Sequence, residues 1–162
     1  MPGRDYLMRL IEEAVQVIFQ IASLRRERRP DSALAATVNA MERLFGMPAQ
    51  DFMSLDPDGL FEQLTREEGA ETARDKCLFF AALNQQAGLA YEEKDLRALA
   101  QPAFHLALVF TLRALDARVP GPLPAITPDV DQLLPKLDGL ELPGRTRELL
   151  GSVRGARANP GR

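Results

Sequence analysis

Residues 5–24 carry an apolar face that is too wide for a single packing contact. When successive residues are rotated by about 100° around a helix axis, the apolar side chains between Tyr6 and Leu24 form one continuous arc of roughly 220°, and polar residues fill the rest. A helix on the side of a small domain needs a stripe only a little wider than about 100°. This helix is therefore predicted to meet two surfaces.

The charges of this helix argue against a membrane. A membrane span needs about 20 predominantly apolar residues with few charges, whereas Arg9, Glu12 and Glu13 lie in the middle of this one. A helix lying on a membrane usually has a polar face rich in Lys and Arg, and here acids outnumber bases. We expect no transmembrane segment.

One side of the helix is expected to dock on its own domain and the other to bind a second copy. The inner face is centred on Leu7, Ile11, Ala14, Ile18 and Ile21. The remaining apolar residues, called the outer strip below, are Met8, Val15, Phe19 and Ala22. An exposed patch of this kind is rare on soluble monomers, and its spacing is typical of a helix-to-helix seam. The sequence thus predicts a homodimer, unless residues 47–69 or the C-terminal helices cover the strip.

Composition predicts an all-α fold. The 162 residues are 46% hydrophobic but only 6% aromatic, with no Trp, and the abundance of Ala, Leu, Glu and Arg favours helices over strands. We expect a helical bundle of antiparallel hairpins. The formal net charge of −3 provides no overall positive field for nucleic acid or an anionic bilayer.

A run of four arginines, Arg25, Arg26, Arg28 and Arg29, follows the first helix. It is interpreted as a solvated helix end stopped by Pro30. The alternative function that it suggests is peripheral binding of an anionic membrane or nucleic acid. Asp31 is the expected N-cap of a second helix.

The rest of the chain is divided by its prolines, glycines and caps. The predicted elements are a second helix over 32–45, a connector of short helical pieces over 47–69, and helices over 71–93, 103–117, 129–137 (capped by Thr127) and 145–153. The predicted organisation is a core domain over 1–118, a proline-rich connector with C-terminal helices packing on the core over 119–153, and a disordered tail over 154–162.

Residues 81–108 resemble one tetratricopeptide repeat, and the corresponding hairpin is placed at about 81–112. Small and aromatic residues stand at the spacing of that family: Ala81, Gly88, Tyr91, Ala100, Phe104 and Ala107. Two residues depart from the pattern. Asn84 replaces a large packing residue, and Pro102 is expected to delay the second helix or bend it near Gln101.

The resemblance implies a partner groove on this hairpin, formed by Gln85, Leu89, Glu92 and Glu93. Repeats that hold a peptide carboxylate present Lys, Arg and Asn on this surface. Two acids and a leucine instead favour a basic or apolar ligand.

No residue constellation points to catalysis, a metal or a cofactor. His105 is the only histidine and Cys77 the only cysteine, and a metal site would need further ligands at short spacing. Phosphate-loop and nucleophile motifs are absent from the sequence. One cysteine and no secretory signal favour the cytoplasm. A structural histidine, a buried cysteine and a non-enzymatic protein are expected.

The chain also resembles a family of small, uncharacterised, all-helical bacterial proteins. The resemblance rests on the opening D-Y-L-M-R-L-I-E, the second helix ending in L-F-G-M, the tetratricopeptide-like pair and the late L-E-L-P-x-x-T-x-x-L-L. It implies a bacterial cytoplasmic helical protein and supplies no catalytic residues. Together these observations favour a protein–protein interaction or scaffolding module whose partner is unknown.

Overall fold

The computed structural model describes residues 2–158, which form helices joined by turns and loops and contain no strand. The elements are α1 (Pro2–Arg26), α2 (Pro30–Phe45), α3 (Ala49–Phe52), α4 (Pro57–Thr65), α5 (Ala70–Glu93), α6 (Arg97–Asp116), α7 (Val130–Leu133), a 3₁₀ helix (Leu134–Leu137) and α8 (Gly144–Ala158). The predicted all-α helical bundle is confirmed.

The turn between α1 and α2 differs from the prediction at Asp31. Arg29, not Asp31, occupies the N-cap position, and Pro30 is the first residue of α2. Proline suits this position because the first helical N–H groups have no partner within the helix. Asp31 therefore lies in the first turn, where its charge suits the helix dipole, and its carboxylate pairs with Lys94. Gly46, with φ 68°, ends the helix as predicted.

The α5–α6 hairpin is the centre of the fold, and its two helices approach each other most closely at Gly88. A Cβ atom added there would lie 2.6 Å from Cε1 of Phe104. Ala81, Ala100 and Ala107 are also buried. Small side chains let two antiparallel helices approach closely, so this contact depends on the missing side chain of Gly88.

The predicted late start of the second hairpin helix is wrong. This helix begins at Arg97, and Pro102 lies inside it. Proline removes one hydrogen bond, the one that the Ala98 carbonyl would accept, and its ring is exposed. Burial of Ala100, Ala103 and Phe104 on both sides of the proline stabilises the helix despite this loss.

Replacing Pro102 by alanine is expected to raise the free energy of unfolding by about 1 kcal/mol, because the substitution restores a backbone hydrogen bond inside a helix. Urea unfolding followed by circular dichroism measures the change. Pro120→Ala, in the connector, is the control and should be neutral or slightly destabilising, since only the unfolded chain gains freedom there. A loss of several kcal/mol in Pro102→Ala would mean that the proline holds a required bend.

Two hydrophobic clusters share α6. The first cluster lies among helices α1 to α6. Its centre is a set of aromatic contacts with ring centroids 4.7–5.0 Å apart: Phe45–Phe52, Phe45–Phe80 and Phe80–Phe110. The second cluster joins α6 to α7, the 3₁₀ helix and α8. Nearly every face of α6 is therefore covered by protein.

By length and composition alone, α6 could cross a membrane, and it is the one described helix that meets this test. However, 56% of the relevant window is buried inside the protein. Core helices of soluble proteins meet the same test, so its composition follows from its central position.

The C-terminal helices differ from the prediction at both ends. Asp129 caps α7 by accepting from the Asp131 N–H, whereas the hydroxyl of Thr127 donates to the Pro124 carbonyl at 2.7 Å. Hydroxyl groups compete locally in this way for backbone partners. At the other end α8 continues to Ala158, so residues 154–158 are helical and not a disordered tail, in keeping with the high helix propensity of Arg and Ala. Residues 159–162 of the predicted tail lie outside the described residues.

Candidate functional site

The outer strip of α1 is largely exposed to solvent. The exposed fractions are 54% for Met8, 42% for Val15 and 63% for Phe19, and Ala22 is half-buried. Tyr6, which is 48% exposed, lies at the other edge of the apolar arc and is not part of the strip. The side chains of the strip form an apolar ridge of a kind that soluble monomers rarely leave uncovered.

The inner face of α1 packs where it was predicted to pack. Leu7, Ala14 and Ile21 are buried, Ile11 and Ile18 are half-buried, and Val17 joins them. Neighbouring helices α2 and α5 cover this side. The exposed fractions of Met8, Val15 and Phe19 show that neither residues 47–69 nor the C-terminal helices cover the outer strip, which adjoins the inner face.

The four arginines at the end of α1 and in the following turn are not one free basic patch. Arg25 donates to Gln86 at 2.9 Å and to Glu93 at 3.0 Å. The guanidinium of Arg26 lies 6.0 Å from the Phe19 ring centroid. Arg28 adopts the left-handed conformation in the turn, and Arg29 lies 3.8 Å from Glu27. Arg25 therefore has a structural role, which weakens the case for an anionic partner at this end.

The predicted partner groove on α5 lies against other parts of the same chain. Leu89 packs on the second hydrophobic cluster, Glu92 pairs with Lys136 at 2.8 Å, and Glu93 pairs with Arg25. Gln85 is half-buried. Because each of the two carboxylates is already paired with a cationic side chain, their electrostatic attraction for a basic ligand is reduced. Binding at this surface stays a prediction.

A hollow of about 400 Å³ lies on roughly the opposite side of α5. Its walls come from α2, from the α3–α4 segment, from α5 and from α6. The lining residues are Leu34, Thr37, Val38, Met41, Phe52, Met53, Leu55, Pro57, Leu60, Phe80, Asn84, Ala87, Tyr91, Pro102, Ala103, His105 and Leu106. We call this cavity the apolar hollow.

None of the described residues that line the apolar hollow is Asp, Glu, Lys or Arg. Two of its polar side chains already bond to the backbone: Thr37 donates to the Ala33 carbonyl at 2.8 Å, and Asn84 donates through Nδ2 to the Phe80 carbonyl at 2.9 Å. A charged group inside would be desolvated without a counter-charge. The hollow thus has the size and apolar lining of a ligand site.

A second, charged cavity of about 180 Å³ lies beside the hollow and shares Pro57 and His105 with it. Two arginines converge here on one carboxylate: Arg113 is 3.2 Å and Arg145 2.9 Å from Asp58. Burial and the nearby charge of Arg145 lower the pKa of Arg113. We call this cavity the arginine pocket, and its local charge from these three groups is positive.

His105 stands between the two cavities. Its Nε2 lies 3.1 Å from the hydroxyl of Thr146, which is buried at the start of α8. Burial lowers the pKa of His105 below its usual value, so the imidazole is neutral at neutral pH. The ring is a polar but uncharged boundary between hollow and pocket.

Reactive or metal-binding groups are scarce in the described chain. Burial raises the pKa of the Cys77 thiol to about 12, so it stays protonated and unreactive at neutral pH. Among residues 2–158, no three His, Cys, Asp or Glu side chains stand close enough together to hold a metal ion.

Sequence reasoning missed both cavities, although one residue signalled the hollow. Asn84 stands where the tetratricopeptide pattern has a large packing residue, and its short side chain lines the hollow. In comparisons with known proteins, no family model, no curated protein and no solved structure matches the chain.

Proposed function

We propose that this protein is a non-catalytic helical interaction module that self-associates through the outer strip of α1. The observation that supports the proposal is the exposure of Met8, Val15 and Phe19 on one side of a helix whose other side is buried. Burying apolar surface is the main favourable term in association, and two-fold pairing covers such a ridge with one copy of itself.

An antiparallel pair centred near Val15 suits the charges of the helix. This arrangement places Met8 of one copy opposite Ala22 of the other, and Val15 opposite Val15. It also places Asp5 of each copy beside Arg26 of the other, so the acidic start meets the basic end. Complementary charges at the rim of a seam set its orientation.

Sedimentation velocity at low micromolar concentration tests the proposal. The wild-type chain should sediment as a dimer, and Val15→Glu/Phe19→Glu should sediment as a folded monomer with unchanged helical circular dichroism. Carboxylates facing each other across the seam would be desolvated and would repel.

The matched control is Leu99→Glu/Leu140→Glu, which changes two leucines that are 51% and 42% exposed elsewhere. This variant should remain a dimer. A monomeric wild-type chain would overturn the proposal, as would a Val15→Glu/Phe19→Glu chain that unfolds, since these side chains would then belong to the core.

Two further proposals accompany this one. A scaffolding role is supported by the two apolar sides of α1 and the tetratricopeptide-like pattern of the α5–α6 hairpin, and a bacterial cytoplasmic location is what the family resemblance implies. Peripheral binding of nucleic acid or membrane through Arg25, Arg26, Arg28 and Arg29 is the less favoured alternative, because Arg25 is engaged within the chain. Retention on heparin that weakens steeply with salt would support that alternative.

A further inference from the structure

The apolar hollow and the arginine pocket lie along one stripe of α6. Pro102, His105 and Leu106 line the hollow, and His105, Val109 and Arg113 line the pocket. Residues spaced by three or four positions share a helix face. Pro57, at the start of α4, borders both cavities from the other side. The two cavities are therefore neighbours in a row.

The two cavities have opposite chemistry. The arginine pocket is lined by the three charged residues Asp58, Arg113 and Arg145, whereas the described residues that line the hollow include none. Apolar side chains also stand exposed at its rim, with Met53 61% and Leu55 37% exposed. An uncharged cavity with an apolar rim favours an aliphatic or aromatic group.

The arginine pocket has spare capacity for an anion. A guanidinium offers five N–H donors in a planar fork, and two guanidinium groups share the single carboxylate of Asp58. Nη1 of Arg113 is buried and has no hydrogen-bond partner among the described residues. Asp58 and Arg145 are 58% and 61% exposed at the side chain, so the pocket is open to solvent at this edge. Arginine forks match carboxylate and phosphate oxygens.

We propose that the two cavities together bind one anionic amphiphile, with its apolar chain in the hollow and its carboxylate or phosphate head on the N–H donors of Arg113 and Arg145 that Asp58 leaves free. His105 to Arg113 spans about 12 Å along α6 at 1.5 Å per residue, a length that an aliphatic chain can bridge. The inference goes beyond self-association and is independent of it, because α1 lines neither cavity.

Isothermal titration calorimetry with probes of one chain length tests the proposal, below the concentrations at which they form micelles. The probes are dodecanoate, dodecyl phosphate, dodecanol and dodecyltrimethylammonium. One equivalent of dodecanoate or dodecyl phosphate should bind at least about tenfold more tightly than dodecanol, the ratio expected for hydrogen bonds to a charged group, and the cation should bind most weakly. The stronger of the two anions identifies the head-group class.

Two variants test which cavity binds the head group and which binds the apolar chain. Arg145→Gln, at an exposed side chain, should lower the affinity for the anions to that for dodecanol and leave dodecanol binding unchanged. Arg147→Gln, on the same helix and outside the pocket, is the control. Met53→Glu should lower the affinity for dodecanol and for both anions by at least about fivefold, since it places a charge at the apolar rim of the hollow. Leu140→Glu, at a leucine that is 42% exposed and lines neither cavity, should not.

Several results would overturn the proposal. They are no binding of any probe to the folded protein, equal affinity for dodecanoate and dodecanol, or uptake of several molecules that Arg145→Gln does not change. In each case the contacts of Asp58 with the two arginines would be an ion-pair network that only ties α4, α6 and α8 together. These results would not change the outcome expected from sedimentation velocity, so the two proposals fail separately.

Discussion

Replacing Arg74 by methionine is expected to lower the free energy of unfolding by about 3–5 kcal/mol, the usual cost of leaving a buried charge unpaired. Arg74 and Asp75 are only 4% and 2% exposed, and Nε of Arg74 donates to Asp75 at 2.8 Å. The other Arg74 nitrogens donate to the carbonyls of Val119 and Pro122. Without the guanidinium, the Asp75 carboxylate is buried alone and the connector after α6 loses its anchor.

Urea unfolding followed by circular dichroism measures the change in the free energy of unfolding of Arg74→Met. Two further variants serve as comparisons. Arg74→Met/Asp75→Leu should recover most of the loss, because it removes the orphaned charge along with its partner. Arg66→Met changes an exposed ion pair with Glu62 and should cost less than about 1 kcal/mol. If the double variant is as unstable as Arg74→Met, the contacts to the connector matter more than the buried charge.

Gly88→Ala is expected to lower the free energy of unfolding by about 1–3 kcal/mol, the usual cost of overpacking a core. The added Cβ would lie 2.6 Å from the ring of Phe104, and that ring is itself only 1% exposed. The ring or one of the two helices must therefore move. This loss outweighs the gain of about 1 kcal/mol that alanine brings to a helix interior.

Gly151→Ala is the matched control for this substitution. Gly151 also lies inside a helix, but nothing would stand within 4 Å of its Cβ, so its replacement should stabilise the protein by about 0.5–1 kcal/mol. Phe104→Leu should partly rescue Gly88→Ala by making room. A Gly88→Ala chain as stable as the wild type would mean that the hairpin adjusts without strain.

Periodicity predicted the helices that have one buried side. The inner face of α1 is buried, as the pattern of residues 5–24 predicts, because burial on one side leaves a clear repeat in the sequence. The same pattern predicts a cover for the outer strip, which is exposed in the single chain. Local capping chemistry was less predictable. Thr127 and Asp129 are both good caps, and only the path of the connector decides that Asp129 caps α7 while Thr127 bonds to Pro124.

The cavities were beyond the reach of sequence patterns, because they join residues from distant elements. Arg113 and Arg145 meet only through Asp58, which lies 87 positions from Arg145 in the chain. None of these residues belongs to a local motif. Asn84 is an example of the signal that a sequence can carry. A short polar residue where the repeat pattern has a large packing residue indicates a gap in the packing, but it does not indicate what occupies the gap.

The central position of α6 has a consequence for the order in which the protein is made. One side of the helix packs on α5 and the first cluster, while Phe104, Leu108 and Leu112 pack on the second cluster with Val130, Leu133 and Val153. A ribosome synthesises the chain from its N-terminus, so α6 is complete before the residues that cover its second side, 130–153, have been synthesised. Until residues 130–153 emerge, this apolar side of α6 is exposed to solvent in the nascent chain. Exposed hydrophobic surface of this kind promotes aggregation and is bound by chaperones.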